Sequence, residues 1–294
     1  MTTERLAQTV TVAALLETLA RRFQAHGIDE PVSQAREIIA ALYDAPRFWP
    51  FVNGGVEVDA DRLSRALRAC DLRLLGAPIA YAVGRASFRH LTLEVDERVL
   101  IPRPETEQLV DLVLAEASHG VAIDVGTGSG AIALALAAEG SFSRVYGTDI
   151  SLDALAVARR NAELCRASLR APVDLLHGAT LGPVHDVRAA VIVSNPPYIA
   201  LNEAPSLPAS VRDWEPAVAL YGGADGMSAT TRLVHEAAEV LAPGGLLAME
   251  VDVRRASLVA ELLTRERQFR AIRVELDLTG RERFVLARRQ ESGG

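Results

Sequence analysis

The chain contains no lysine, since all 31 of its basic residues are arginines. Without lysine, Schiff-base chemistry and mechanisms that use lysine as the base are excluded. Cysteine is nearly absent too: Cys70 and Cys165 lie far apart, and neither belongs to a Cys/His cluster. We therefore expect reduced thiols that serve as small apolar residues, and no metal site.

Long apolar runs and an excess of basic charge are also lacking. No stretch approaches the roughly 18 uncharged apolar residues of a membrane span, and the early charges Glu4 and Arg5 argue against a secretory signal. The net charge of −7 makes binding to an extended nucleic-acid backbone unexpected. An apolar fraction of 49% and a charged fraction of 23% are ordinary for a globular protein, which we expect in the cytoplasm.

Apolar residues at helical spacing dominate the first part of the chain. The predicted helices are Thr11–His26, Val32–Tyr43 and Asp59–Leu75. We expect residues 1–76 to form a small helical domain that either packs on the rest of the protein or recognises the substrate. Residues 77–105 are predicted to be a strand-rich linker or hairpin, with strands at Ile79–Val83 and Leu91–Val95.

Predicted strands and helices alternate over residues 106–290, which favours an α/β fold with a mainly parallel, doubly wound sheet. The predicted helices are Thr106–Ala117, Ala131–Ala138, Leu152–Leu164, Ala229–Leu241 and Ala256–Glu266. The predicted strands are Val121–Val125, Arg144–Thr148, Val173–Leu176, Ala189–Ser194, Leu246–Val251, Phe269–Leu276 and Arg283–Ala287. We expect Pro243-Gly244-Gly245 to close the fourth helix. The last two strands form a predicted hairpin, so the last strand should be antiparallel to the others.

A glycine-rich segment, Asp124 to Gly130, follows an apolar strand and opens a helix. Glycines at such a turn let the backbone bend tightly and let a nucleotide approach closely. The candidate cofactor-binding residues here are Gly126, Thr127, Gly128, Ser129 and Gly130. This segment does not identify the nucleotide, because Gly126, Gly128 and Ala131 also satisfy the dinucleotide fingerprint of NAD enzymes.

Asp149 ends the next predicted strand and is followed by Ile150. A carboxylate there can accept hydrogen bonds from both ribose hydroxyls of a nucleotide. NAD enzymes place an acid similarly, so Asp149 and Ile150 predict ribose binding without identifying the nucleotide. The six histidines are scattered, and no His or Tyr stands in a recognisable dehydrogenase context.

The segment Asn195-Pro196-Pro197-Tyr198 ends the predicted strand Ala189–Ser194. The Asn195 side chain and the Pro196 carbonyl can together accept both hydrogens of one NH₂ group. Tyr198 supplies an aromatic face for a flat substrate group. Holding a planar nitrogen in this way favours methyl transfer to it from S-adenosylmethionine, a displacement that needs mainly proximity and orientation. The alternative is a turn that merely terminates the strand.

Together these motifs resemble the release-factor glutamine methyltransferase family of the HemK/PrmC type, over nearly the whole chain. The matching residues beyond those above are Gly84, Phe88, Leu100–Glu107 (LIPRPETE), Trp214–Ala217, Leu220–Gly223, Asp225-Gly226 and Asp277–Arg283. The Pro-Arg-Pro-Glu-Thr-Glu signature is highly specific, whereas the asparagine motif is shared with adenine N6-methyltransferases of DNA and RNA.

The resemblance implies a class I, Rossmann-like methyltransferase domain that uses S-adenosyl-L-methionine. It also implies methylation of the glutamine side-chain amide in the Gly-Gly-Gln loop of peptide-chain release factors, with the helical domain meeting the release factor. The implied catalytic residues are Asn195, Pro196 and Tyr198. The implied substrate-binding residues are Leu100, Pro102, Arg103, Glu105 and Pro197. Ala179 and Thr180 stand where the family contacts adenine, although the family usually has an acidic residue followed by an apolar or aromatic one there.

A second departure from the family pattern is the segment Asp252–Arg255, where relatives tend to carry Gly-x-x-Gln. It suggests an alternative acceptor, the amide or guanidine of a small molecule or free amino acid. Adenine N6-methylation of nucleic acid is a third possibility, disfavoured by the acidic charge and the lack of a basic patch with aromatic residues. A non-catalytic binding module is a fourth, disfavoured by the intact asparagine motif.

Overall fold

The computed structural model describes residues 10–291, so Glu4 and Arg5 lie outside the described residues. The helices are α1 (Val12–Ala25), α2 (Pro31–Leu42), α3 (Trp49–Val52), α4 (Ala60–Leu74), α5 (Ile79–Val83), α6 (Pro104–Glu116), α7 (Ala131–Glu139), α8 (Leu152–Leu164), α9 (Ala209–Arg212), α10 (Ala217–Leu220), α11 (Ser228–Val240) and α12 (Ala256–Arg265). The strands are β1 (Arg85–Phe88), β2 (Leu91–Glu94), β3 (His119–Val125), β4 (Ser141–Asp149), β5 (Val173–His177), β6 (Ala189–Ser194), β7 (Leu241–Glu250), β8 (Phe269–Leu276) and β9 (Glu282–Arg289).

The chain divides into two compact units, of which the first contains residues 10–85 and 209–214. Its core consists of the apolar faces of α1, α2 and α4, including the fully buried Leu19, Phe23 and Ile38. Thr11 and Asp59 cap α1 and α4, because each side chain accepts a hydrogen bond from a first-turn backbone N–H. The three helices predicted for this part of the chain are confirmed.

The prediction of a strand at Ile79–Val83 is wrong, because these residues form helix α5. Pro78 precedes the helix with φ −53°, and Gly84 ends it in the left-handed region with φ +72°. A run of five apolar residues is compatible with a strand and with a buried helical turn, so its spacing does not distinguish the two. The predicted strand at Leu91–Val95 is confirmed as β2, which pairs with β1.

The second unit, residues 86–208 and 215–291, contains a seven-stranded sheet in the order β5-β4-β3-β6-β7-β9-β8. Neighbouring strands from β5 to β7 are parallel, whereas β9 is antiparallel to both β7 and β8. The predicted parallel sheet with an antiparallel last strand is confirmed. Within residues 10–291, no helix has the length and apolar character needed to cross a membrane.

Alternate residues of the central strands feed two apolar cores, one on each face of the sheet. Helices α6 and α7 contribute to the core that contains Ala122 of β3, and α11 and α12 to the core that contains Ile123. Ser151 caps α8 as predicted, since its side chain accepts from the Ala154 N–H. Cys70 and Cys165 are buried and unbridged, in agreement with their expected role as small apolar residues.

The Pro243-Gly244-Gly245 segment does not close α11, which ends at Val240. Strand β7 already begins at Leu241 and contains the three residues. They form an irregularity, because Ala189 pairs with Leu241 whereas Val191 pairs with Leu246. Gly244 adopts φ +77° there, a conformation that glycine reaches without strain.

Candidate active site

The carboxyl ends of five parallel strands meet along one edge of the sheet. Strand β3 connects to β4 on one side and has β6 on its other side, so the order of the strands reverses between β3 and β6. Ligands bind at such a switch point in open α/β sheets. The glycine loop follows β3 and the Asn195 motif follows β6, and their strand ends Val125 and Ser194 are register partners.

A cavity of about 410 Å³ opens at this edge, entirely within the second unit, and this is an ordinary volume for a small-molecule site. The predicted residues that line it are Leu100, Gly126, Gly128, Asp149, Ile150, Ala179, Thr180, Asn195, Pro196 and Pro197. Lining residues that sequence reasoning missed include Arg98, Val99, Ala154, Tyr221, Ser228 and Arg232. The predicted residues Pro102, Arg103, Glu105, Thr127, Ser129, Gly130 and Tyr198 belong to the described chain but lie outside this lining.

The glycine loop is held against β4 and leaves open space above it. The backbone N–H groups of Gly126 and Thr127 both donate to the Thr148 carbonyl, at 2.8 and 2.9 Å. Gly126 and Gly128 have φ of +74° and +54°. A Cβ built on Gly126 would meet nothing within 4 Å, and one on Gly128 would meet only the Gly126 carbonyl at 4.0 Å. The loop therefore forms a cradle that a ligand can approach at backbone distance.

Residues behind this loop stabilise it. The Thr127 hydroxyl donates to Asp124 Oδ2 at 2.7 Å, and the Ser129 carbonyl accepts from Asn161 Nδ2 at 2.9 Å. Gly130 directly precedes α7 and adopts φ +85°. Asp124 is fully buried, and burial raises its pKa to about 7. Asp124 and Asn161 were not identified from the sequence, because only their burial reveals that they support the loop.

Asp149 presents its carboxylate to the cavity while the backbone holds it in place. Its Oδ2 accepts from the Gly128 N–H at 2.9 Å and its Oδ1 from the Ser151 N–H at 2.8 Å. Burial raises the pKa of this carboxyl above its usual range, partly offset by these backbone hydrogen bonds. Each oxygen keeps a second lone pair, so the side chain can still accept from two further hydroxyl donors.

Ala179 and Thr180 follow β5 and form another part of the cavity wall. The Thr180 carbonyl accepts from the Thr148 hydroxyl at 2.8 Å, and its own hydroxyl donates to Glu236 Oε2 at 2.5 Å. The Leu181 N–H donates to the same Glu236 oxygen at 2.9 Å. Glu236 of α11 therefore holds this loop in place. No local sequence motif predicts this contact, because Glu236 lies more than 50 positions away in the chain.

Asn195 is oriented by Thr106, which belongs to the Pro-Arg-Pro-Glu-Thr-Glu signature, and through it by Glu250. Its Nδ2 donates to Thr106 Oγ1 at 3.2 Å, and the Thr106 hydroxyl donates to Glu250 Oε2 at 2.7 Å. While Glu250 is ionised, the threonine gives its single hydrogen to that carboxylate and can only accept from Asn195. The amide oxygen of Asn195 is thereby left as the acceptor for a ligand. Glu250 is buried, and desolvation raises its pKa to about 7.

The rest of the motif is fixed by its strand and its prolines. The Ser194 hydroxyl donates to the Val125 carbonyl at 2.7 Å and thus ties the end of β6 to the end of β3. Pro196 and Pro197 line the cavity, and neither has an N–H to donate. Tyr198 is half-buried outside the lining, where desolvation and the charge of Glu250 raise its pKa to about 12. Its phenol is therefore neutral at ordinary pH.

The residues in and next to the Pro-Arg-Pro-Glu-Thr-Glu signature make different contacts. Leu100, just before it, lines the cavity. Arg103 Nη2 pairs with Glu215 Oε1 at 2.5 Å, and Glu215 is buried. Burial raises the pKa of Glu215, although the Arg103 charge opposes the shift. Arg103 and Thr106 therefore connect the signature to Glu215 and to the end of β7.

Family models match both parts of the chain. The model described as "Methyltransferase small domain" matches residues 105–206, and the one described as "PrmC N-terminal domain" matches residues 14–84. A curated protein of Moorella thermoacetica, named release factor glutamine methyltransferase, is 38% identical over 286 residues, or 96% of this chain and 100% of that protein. The protein of the same name from Deinococcus radiodurans is 38% identical over 279 residues, covering 94% and 97%.

Solved structures with low sequence identity show the fold. A methyltransferase of Pyrococcus furiosus is 21% identical with a TM-score of 0.51, covering 80% of this chain and 100% of that chain. The catalytic domain of hMettl16, in complex with a MAT2A 3′UTR hairpin, is 17% identical with a TM-score of 0.54, covering 81% and 86%. The sheet order and these neighbours show a class I, Rossmann-like methyltransferase fold.

Proposed function

The chain belongs to the release factor glutamine methyltransferase family, and on this premise we propose that it methylates the glutamine amide in the Gly-Gly-Gln loop of peptide-chain release factors. The observation that carries the proposal is the orientation of Asn195. Thr106 holds its NH₂ end, so its Oδ1 is free to accept a hydrogen from a substrate amide. The Pro196 carbonyl is the proposed acceptor of the other amide hydrogen.

We propose S-adenosyl-L-methionine as the cofactor, and the cavity fits it. Gly126 and Gly128 leave room for close approach, and Asp149 keeps acceptor capacity for a ribose diol. Ala179 and Thr180 would lie at the adenine, with Ile150 beside it. Thr127, Ser129 and Gly130 would act by holding the loop. When bound, S-adenosyl-L-methionine supplies a methyl group activated by a sulfonium.

The protein's own contribution is orientation rather than base catalysis. The Asn195–Pro196 clamp would fix the plane of the amide and direct the lone pair of its nitrogen toward the cofactor side of the cavity. The nitrogen can lose its proton after methyl transfer, so no lysine or histidine is needed beside it. Tyr198, Pro197 and the Leu100–Glu105 segment are proposed to complete the substrate side.

The helical unit is proposed to contact the release factor. Phe48, Phe51 and Val52 around α3 are 65%, 78% and 65% exposed. Such a group of exposed apolar side chains is typical of a protein-binding surface.

The small-molecule alternative was suggested by Asp252–Arg255. These residues are absent from the lining of the cavity, and the charged ones pair with one another and with Glu203. Their departure from the family pattern therefore leaves the lining of the cavity itself unchanged. The alternative remains as an outcome of the following experiment.

The protein is incubated with methyl-labelled S-adenosylmethionine and either a purified release factor or a pool of small metabolites. We expect label on the release factor and none on a release factor whose Gly-Gly-Gln glutamine is replaced by alanine. Label on a metabolite and none on the release factor would refute the proposal.

Two variants separate the proposed roles within the site. Asn195→Ala should abolish turnover with cofactor binding nearly intact, because it removes one arm of the clamp. Asp149→Ala should weaken cofactor binding by about 2 kcal/mol, the value of a charge-assisted hydrogen bond. Asp186→Ala is the matched control, since its side chain is 90% exposed. Full activity of Asn195→Ala would exclude the clamp.

A further inference from the structure

Two adjacent arginines follow β7 where the sequence departs from the family pattern. Arg254 and Arg255 share two carboxylate partners, Glu203 and Asp252. The cluster is electrically balanced, with two positive and two negative side chains. The side chain of Arg254 is 57% exposed, whereas that of Arg255 is 7% exposed. The two arginines therefore have the same partners in very different surroundings.

The guanidinium of Arg255 donates hydrogen bonds to three different residues. Its Nε donates to the Asp225 carbonyl at 3.1 Å, its Nη2 to Glu203 Oε2 at 3.0 Å and its Nη1 to Asp252 Oδ1 at 3.5 Å. A buried charge is unfavourable unless it is paired and hydrogen-bonded, and this one is. The planar, forked donor set of arginine suits this arrangement, whereas lysine offers a single nitrogen.

Gly226 lies between this guanidinium and the backbone of the Asn195 motif. A Cβ built on Gly226 would be 2.3 Å from the Tyr198 carbonyl oxygen and 2.6 Å from Arg255 Nε. Its φ of +75° also favours glycine. Arg255 therefore supports the backbone of Tyr198 from behind, with a single glycine between them.

The same arginine connects two stretches that follow the motif, residues 199–203 and 220–228, here called the post-motif stretches. Glu203 Oε2 accepts both from Arg255 and from the Ala200 N–H at 2.9 Å. The Gly222 N–H donates to the Ile199 carbonyl at 3.0 Å, which joins the two stretches. Tyr221 and Ser228 of the second stretch line the cavity.

We propose that Arg255 is a positioning residue, which holds the post-motif stretches and the Tyr198 backbone in the shape that the amide clamp needs. It is absent from the lining of the cavity and acts through Asp225, Glu203 and Gly226. For its effect on activity, the inference rests on the proposed function. The departure at position 255 then concerns the residue that holds the post-motif stretches in place.

The test compares Arg255→Ala, Arg255→Lys and Arg254→Ala with the wild-type protein. In Arg255→Ala, Arg254 still pairs with both carboxylates, so no acid is left without a partner and the variant should fold. We expect its kcat on the release factor to fall roughly 10- to 100-fold, the scale of a misplaced reacting group. The Kd for S-adenosylmethionine should change less than about threefold, because Gly126, Gly128 and Asp149 are untouched. Arg255→Lys should recover only part of kcat.

Amide hydrogen exchange provides a readout that does not depend on the acceptor. Arg255→Ala should exchange faster in peptides that cover the post-motif stretches, and Arg254→Ala should exchange like wild type and retain its kcat within about threefold. Unchanged exchange in Arg255→Ala, equal effects of the two alanine variants, or faster exchange throughout the second unit would each overturn the proposal. Wild-type protein that labels no release factor would instead refute the proposed function, and the exchange data would still decide the role of Arg255.

Discussion

At the scale of single residues, the site depends on which end of the Asn195 amide faces the cavity. A rotation of the amide by 180° would present hydrogens where the proposed clamp needs an acceptor. The hydroxyl of Thr106 opposes this rotation while Glu250 is ionised, because its own hydrogen is then committed to Glu250 at 2.7 Å. Thr106 and Glu250 therefore act on the substrate through Asn195.

Replacement of Thr106 by valine should release this constraint with little change in volume. It removes the acceptor for Asn195 Nδ2 and the donor to Glu250, and unpaired buried polar groups cost about 1–3 kcal/mol each. We expect kcat on the release factor to fall by roughly 10- to 100-fold, with cofactor binding preserved. Steady-state kinetics and calorimetric titration measure the two quantities.

Thr106→Ser is the matched control, because it keeps the hydroxyl and loses only a methyl group. Its kcat should stay near that of the wild type. Equal loss in the serine and valine variants would show that packing at position 106 matters and that the hydroxyl does not.

The residues that line the cavity could be predicted where a motif marks them. Gly126, Asp149 and Asn195 each directly follow a predicted strand, and the carboxyl ends of parallel strands share one edge of the sheet. Thr106 and Glu250 could not be linked to Asn195 in this way, since 144 positions separate them from each other. The contact between Arg255 and the segment around Gly226 could not be predicted from the sequence either. It depends on Gly226, 29 positions earlier, which leaves room for the guanidinium.

At the scale of elements, the backbone around Gly222 packs directly against the backbone of the Asn195 motif. The Gly222 N–H donates to the Ile199 carbonyl, and a Cβ on Gly222 would lie 2.3 Å from the Pro197 oxygen and 2.8 Å from the Gly226 oxygen. Both obstacles are backbone atoms, which cannot rotate away. The motif and this segment therefore keep their relative position only with glycine at 222.

Gly222→Ala should push the segment away from Pro197. We expect a loss of about 1–3 kcal/mol in the free energy of unfolding, as for other overpacked sites, together with reduced turnover. Urea unfolding and initial rates measure both effects. In Gly55→Ala, the control, the new Cβ meets nothing within 4 Å. Similar behaviour of the two variants would contradict the steric argument.

The elements themselves were predictable where the apolar pattern was long. The bounds of Leu152–Leu164, Ala189–Ser194 and Phe269–Leu276 agree with α8, β6 and β8. The errors fell on short or glycine-containing segments. Ile79–Val83 is too short to distinguish a helical from a strand period. Pro243-Gly244-Gly245 has the composition of a helix end, but strand pairing accommodates it as an irregularity.

At the scale of the whole molecule, buried carboxyls make stability depend on pH. Burial raises the pKa of Asp124 and of Glu250 to about 7. A group whose pKa is higher in the folded state binds its proton there first, so its stabilising effect is complete below its unfolded pKa of about 4 and is lost as pH rises through about 7. Carboxyls with a lowered pKa, such as Asp252, stabilise the fold above the ordinary carboxyl pKa and lose that effect only as the pH falls below it, so they do not alter the trend at higher pH.

The free energy of unfolding of the cofactor-free protein should therefore fall between about pH 4 and about pH 7, by up to about 1.4 kcal/mol for each unit of raised pKa. Asp124→Asn should flatten this dependence, because the amide does not titrate and can still accept from Thr127. Urea unfolding at several pH values provides the measurement, with the exposed Asp186→Asn as the control. A constant difference between Asp124→Asn and wild type at all pH values would contradict the assignment.

The position of β9 between β7 and β8 has a consequence for biosynthesis. Strand β9 lies between β7 and β8 in the sheet but is synthesised after both of them. Until β9 is present, the edge of β7 that faces it has no strand partner. Glu250 at the end of β7 pairs with Phe284 of β9. On the ribosome, β8 has no hydrogen-bonding neighbour until residues 282–289 emerge, so the glutamate that supports Asn195 gains its final surroundings only with the last strand. A nascent or truncated chain that ends before residue 282 would thus lose an interior strand of the sheet rather than a dispensable edge.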